Sequence, residues 1–170
     1  RNKHADRALK RQQLEALKPV CARHQALLIV NDDWRLAAEL GIKAVHLGED
    51  DGDIEEARQA LGPGSLIGVS CYASVERAQA LAPVADYLAF GALFASGTKP
   101  LARPAPLSVF REVQALALAR PLVGIGGIDA DNIGSVLAAG ADAAAVIGAL
   151  FRQGDVRAAA QRLVAAAARP

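Results

Sequence analysis

Residues 121–151, PLVGIGGIDADNIGSVLAAGADAAAVIGALF, constrain the fold more than any other stretch. Residues 122–125 are a short apolar run that stops at Gly126-Gly127. Asp129 is placed to cap a helix over residues 130–139, and Gly140 ends it. Residues 143–147 are a second apolar run, stopped by Gly148 and followed by a short helix. The order is therefore strand, glycine loop, helix, strand, glycine, short helix. Two buried runs joined by a helix imply parallel strands. A glycine directly after each strand bares backbone N–H groups at the strand's carboxyl end, beside a helix N-terminus. That arrangement favours an anion, usually a phosphate.

The same alternation runs through the chain. Leu9, Leu14, Leu17, Val20 and Cys21 recur at helical spacing within residues 5–24. Strands are expected over residues 26–30, 44–47, 66–69 and 87–90, each stopped by polar or glycine-rich residues. Helices are expected over residues 34–40, 54–61, 74–81, 108–118 and 157–167, with a long loop over residues 91–106. A helix followed by six strand–helix units predicts an α/β fold with a parallel sheet, in one domain over residues 1–170. Six strands build either an open doubly wound sheet or most of a (β/α)8 barrel. A full barrel needs roughly 200 residues or more, so this chain is short by about two strands and a helix.

Bulk properties narrow the partners. The 170 residues are 52% hydrophobic and 22% charged, which suits a globular domain. A net charge of +1 without a long Lys/Arg run argues against nucleic acid as a partner. The longest apolar stretch, residues 143–151, is too short to cross a membrane, and no leader is visible. Cys21 and Cys71 fit no zinc or redox spacing and read as reduced thiols, which points to the cytoplasm. The chain opens on Arg1 and holds no Met, so the native start is expected to have been removed or to lie elsewhere.

The polar residues gather at strand ends. Asn31 and Asp32 follow the first strand, Asp50 and Asp51 the second, and Ser70 ends the third. Ser96, Thr98 and Lys99 lie in the loop after the fourth, while Gly126-Gly127 and Gly148 follow the fifth and sixth. In a parallel sheet all carboxyl ends share one edge, so these groups are expected to converge. Carboxylates, hydroxyls, a lysine and bare amides together suit Mg²⁺ and phosphorylated ligands. Each element also has a plainer reading. Asp32 and Asp51 could be loop carboxylates or helix caps. Residues 96–99 could be a solvated turn, and the glycines could merely stop strands. Gly124, Gly126 and Gly127 fall short of a dinucleotide fingerprint, because Asp129 stands where its last glycine would be. His46, inside an apolar strand, reads as a core histidine, and Trp34 as packing.

Several motifs in order carry a family resemblance: NDDWRLAAELGIKAVHLGEDD, LIGVS, ADYLAFGALFASGTKP, LVGIGGI and AGADAAAVIGALF. Together they resemble thiamine-phosphate synthase, of the superfamily that includes the TenI-like proteins, over residues 1–151. The resemblance implies a (β/α)8 TIM barrel whose first two strands and first helix lie before residue 1. It also implies a transferase reaction. Hydroxymethylpyrimidine diphosphate loses diphosphate, and the nitrogen of a hydroxyethylthiazole phosphate attacks the methylene carbon to give thiamine phosphate. By the same resemblance Asp32 and Asp51 hold Mg²⁺. Arg1, Lys3, Asn31, Ser70 and Lys99 correspond to contacts with the pyrimidine diphosphate. Ser96, Thr98, Gly127, Ile147 and Gly148 correspond to contacts with the thiazole phosphate. Lys99, Ser70 and Arg1 are the expected catalytic set, with Lys99 and Arg1 on the leaving group.

Departures from the family pattern are local. Ser96 stands where Thr is usual, Gly148 where Ser is usual, Glu49 for Gln, and Cys71-Tyr72 for a small residue and His. Two other readings stay open. One is a TenI-like thiazole-phosphate isomerase or regulatory protein; the pairing of Asn31-Asp32 and Asp51 with Thr98-Lys99 favours the synthase. The other is a non-catalytic portion that completes its barrel with a partner chain, a homo-oligomer included. The expected partners are otherwise small phosphorylated molecules, with neither nucleic acid nor membrane among them.

Overall fold

The computed structural model describes residues 6–95 and 104–168. The elements alternate as expected: α1 (Arg7–Arg23), β1 (Val30–Asn31), α2 (Trp34–Glu39), β2 (Ala44–Leu47), α3 (Ile54–Leu61), β3 (Leu66–Tyr72) and α4 (Val75–Leu81). They continue as β4 (Tyr87–Phe90), α5 (Ser108–Gln114), β5 (Leu122–Ile125), α6 (Ile133–Ala138), β6 (Ala143–Ala145), α7 (Gly148–Phe151) and α8 (Val156–Ala167). The sheet order is the chain order, β1 to β6. The chain divides into two compact units, Arg1–Val69 and Ser70–Pro170, with β3 running through the division.

In the first unit β1, β2 and β3 run parallel, with Val30 opposite Val45, and Ala44 and Val45 opposite Leu66 and Ile67. Their apolar faces and the inner faces of α2 and α3 bury Val45, Leu47, Ile67, Leu36, Ala37 and Ala57 completely. Helix α1 is attached differently. It has no buried residue, and its apolar positions Leu9, Leu17 and Val20 are exposed. Polar contacts tie it down: Arg7 and Arg11 donate to the two oxygens of Glu39, and Lys18 Nζ donates to Leu40 O at 2.6 Å. The hydrogen bond from Arg7 and the Arg11 charge hold the Glu39 carboxyl below the usual carboxylate range. Helical spacing in α1 thus marks a real helix without marking a core face.

In the second unit β4, β5 and β6 run parallel, with Leu88 opposite Leu122 and Val123 opposite Ala143. The end of β3 joins them, since Gly91 N donates to Tyr72 O at 3.0 Å. Phe90 and Phe110 fill the core, edge to face, with ring centroids 5.7 Å apart. Burial pushes the Cys71 thiol up to about 11 and the Tyr87 phenol up to about 12.

Several boundaries differ from the sequence reading. The first strand, expected over residues 26–30, is confined to Val30–Asn31, and the third, expected over residues 66–69, runs on to Tyr72. Helix α6 begins at Ile133 rather than residue 130, after a turn in which Asp129 accepts from Asp131 N and Asn132 N. Helix α5 ends at Gln114 rather than residue 118: Ala117 and Ala119 adopt positive φ, which no helix continues through. Strand β6 ends at Ala145, and Ile147 instead precedes α7 as its N-cap residue.

Phe110→Ala should cost about 3–5 kcal/mol, read from the midpoint of a urea titration at unchanged slope. Both buried acids are held protonated in the folded state, so the unfolded chain ionises first. Stability should therefore be complete below pH 9 and fall as pH rises from 9.0 towards about 11 for Cys71 and from 10.0 towards about 12 for Tyr87. A pH series of thermal melts checks the direction.

Candidate active site

The first unit builds an acidic corner where β1 and β2 end. Asp32 sits at φ 68°, a left-handed conformation that Asp tolerates better than most residues. The backbone ladder holds it there: Asp32 N donates to His46 O at 2.9 Å, and Trp34 N donates to Asp32 O at 3.0 Å. Asn31 Nδ2 donates to Asp32 Oδ1. The cap of α2 is Asp33, which accepts from Leu36 N at 3.1 Å. The cap of α3 is Asp53, which accepts from Glu55 N and Glu56 N at 2.7 and 2.9 Å. Capping is thus done by Asp33 and Asp53, which removes the helix-cap reading of Asp32 and Asp51. Asp51 Oδ2 instead accepts from Gly48 N at 2.6 Å and closes the loop that follows β2. Asn31, Asp32 and Asp51 are therefore brought to the carboxyl ends of two hydrogen-bonded neighbouring strands.

The second unit builds a glycine corner. Leu93 N donates to Ile125 O at 3.0 Å and Phe94 N to Gly126 O at 3.1 Å, so the chain leaving β4 lies along the chain leaving β5. A Cβ on Gly91 would fall 2.0 Å from Ile125 O, and one on Gly127 would fall 2.6 Å from Phe94 O. Gly127 also has φ 68°. Asn132, which sequence reasoning passed over, donates from Nδ2 to Gly127 O at 3.1 Å and accepts from Asp129 N at 3.0 Å. Its only sequence signal is its place in the polar run between Gly127 and the apolar helix. Ile147 and Gly148 follow β6, next to β5 in the sheet, and Gly148 opens α7. Gly148 has room to spare: a Cβ there would meet Arg152 Cδ no closer than 3.7 Å. Ser70 lies in β3, and its carbonyl accepts from Arg77 Nε at 2.9 Å. Arg1, Lys3, Ser96, Thr98 and Lys99 lie outside the described residues.

Parallel strands whose polar and glycine residues collect at carboxyl ends define an α/β protein of the kind that works at strand ends. The chain belongs to the thiamine monophosphate synthase (TMP-TENI) family, whose model matches residues 1–150. It is 51% identical to the thiamine-phosphate synthase of Chromobacterium violaceum over 164 residues, 96% of this chain and 78% of that one. It is 50% identical to the thiamine-phosphate synthase of Bordetella avium, over 97% of this chain and 79% of that one. Among solved structures it is similar to the thiamine phosphate pyrophosphorylase of Pyrococcus furiosus, with a TM-score of 0.86 and 32% identity over 98% of this chain and 79% of that one. Among the described residues, no helix is long and apolar enough to cross a membrane.

The two glycine positions should respond differently to a methyl group. Gly127→Ala meets both a backbone oxygen and a disfavoured φ, and should lose at least about 1–3 kcal/mol of stability. Gly148→Ser should stay within about 0.5 kcal/mol of the parent. Thermal melts followed by circular dichroism separate the two.

Proposed function

We propose that this chain joins a hydroxymethylpyrimidine diphosphate to a hydroxyethylthiazole phosphate, releasing diphosphate and forming thiamine phosphate. Family membership supports the reaction, as does about 50% identity to proteins named for it. The observation that carries the site assignment is the release of Asp32 and Asp51 from helix capping, on adjacent strand ends.

In this reading the methylene C–O bond breaks and its electron pair leaves with the diphosphate. The thiazole nitrogen lone pair forms the new C–N bond and leaves a positively charged ring. No proton is transferred at the reacting atoms, so no general base is required. The residues of this chain instead hold two substrates in line and stabilise separated charge, which is where most of the acceleration in such a step arises. Lys99 and Arg1 would meet the leaving diphosphate, with Lys3, Asn31 and Ser70 on the same substrate. Ser96, Thr98, Gly127, Ile147 and Gly148 would hold the thiazole phosphate.

The acidic corner suits Mg²⁺ by its donor chemistry. It offers hard oxygen donors, and among the described residues no group of three or more His, Cys, Asp or Glu gathers to form an all-protein cage. Mg²⁺ usually takes one or two carboxylates and completes its shell with water and substrate phosphate. Asp32 and Asp51 would hold it, and when bound it would neutralise charge on the diphosphate. The same reading takes the six strand–helix units as part of a (β/α)8 barrel. Its further strands would cover the apolar residues left exposed beside β1 and after β6, such as Leu27 and Phe151. It also carries with it a cytoplasmic setting, and leaves self-association to be measured.

Purified protein given Mg²⁺ and both substrates should release diphosphate and form thiamine phosphate, and chelation should stop it reversibly. Asp32→Asn and Asp51→Asn should each lower the rate roughly 100-fold or more while the fold is kept. Rates untouched by both substitutions would remove the metal assignment. Binding of the thiazole phosphate with no affinity for the pyrimidine diphosphate would replace the synthase by an isomerase or regulatory role.

A further inference from the structure

Trp34, the first residue of α2, is buried, and among the described residues its Nε1–H finds no hydrogen-bond partner. A buried indole N–H without an acceptor is costly and uncommon. The group is also aimed. Its Nε1 edge faces Gly52, where a Cβ would fall 3.1 Å from Nε1. Gly52 has φ 106°, so the chain passes the indole in a conformation that side-chain-bearing residues avoid. The ring is fixed from outside by Arg35, whose guanidinium lies 4.0 Å from the ring centroid and 3.7 Å from Glu56 Oε2 of α3. Residue 51, directly before this glycine, is one of the two carboxylates assigned above to the cation. Its Oδ2 accepts from Gly48 N at 2.6 Å.

We infer that Trp34 is a positioning residue for Asp51: its indole N–H is the donor that takes an oxygen of the Asp51–Gly52 segment when that segment closes on a divalent cation. The inference rests on the metal assignment made above and adds a residue to it that touches neither substrate. Packing and the Arg35 stack call for a large aromatic ring but not for a donor on it. What the indole adds beyond its ring is one N–H, beside Gly52. A donor spent only in the closed arrangement favours that arrangement, and so tightens cation binding without altering the chemistry that follows.

The test uses the fact that Trp34 is the only Trp in the chain. In ¹⁵N-labelled full chain its indole N–H gives one cross-peak. Adding Mg²⁺ with inorganic diphosphate should move that peak downfield and slow its exchange with water. Trp34→Phe should weaken Mg²⁺ binding by calorimetry about three- to tenfold, the worth of one net hydrogen bond. It should raise the Mg²⁺ concentration needed for half-maximal rate by a like factor, with kcat at saturating Mg²⁺ kept. Gly52→Ala, which crowds Nε1 from the loop side, should weaken binding in the same sense. Mg²⁺ binding by heat with an unmoved indole peak overturns the inference and leaves the metal assignment standing. No Mg²⁺ binding overturns both. If Trp34→Phe does not fold, the wild-type cross-peak alone decides.

Discussion

The passage of one backbone against another at the carboxyl ends of β4 and β5 governs the glycine corner. Residues leaving β4 donate twice to carbonyls leaving β5, and they do so at a separation that leaves no space for Cβ atoms at Gly91 and Gly127. Two chains this close form a fixed ledge. The glycines of this corner have a steric task. They let the ledge exist, whatever occupies the loop beyond it. The structural need is strong at Gly91 and Gly127 and absent at Gly148, where a Cβ has room.

A division of labour among aspartates organises the other corner. Asp33 and Asp53 satisfy helix N-termini, as Asp commonly does. Asp32 and Asp51, one and two residues earlier, do not. Asp32 is held in a left-handed conformation by its own ladder bond to His46, an arrangement that costs energy and persists where function uses it. Adjacent carboxylates repel one another unless a cation lies between them. The pairing of one helix-capping and one non-capping aspartate at each strand end is the pattern that the metal proposal takes up.

Much of the fold was legible because strands, helices and their stops are written locally. Runs such as residues 44–47 and 87–90 are apolar and bounded by polar or small residues, and both form strands with those bounds. The order of motifs was also enough to indicate the family. Legibility failed where a choice depended on neighbours in space. Asp129 accepts from the N–H groups two and three residues on, as Asp53 does, yet the helix after it starts only at Ile133. The helix of residues 108–118 was read four residues too long, since nothing in Ala117 or Ala119 announces a positive φ. The acidic corner was legible as a set of residues. Which aspartates cap and which do not was settled only by the hydrogen bonds.

Helix α1 differs in kind from the rest of the first unit. Strands β1 to β3 are joined by a ladder of backbone bonds over a dry interior, whereas α1 is fastened by guanidinium and ammonium groups that water also reaches. Such fastenings are weak and are screened by ions. Its seat is therefore a matter of ionic strength: in molar salt, where the Debye length shrinks to about 3 Å, the clasp on Glu39 loosens while the sheet stays whole. A helix worn on the outside in this way can be retuned by single charge changes, without disturbing the interior it covers.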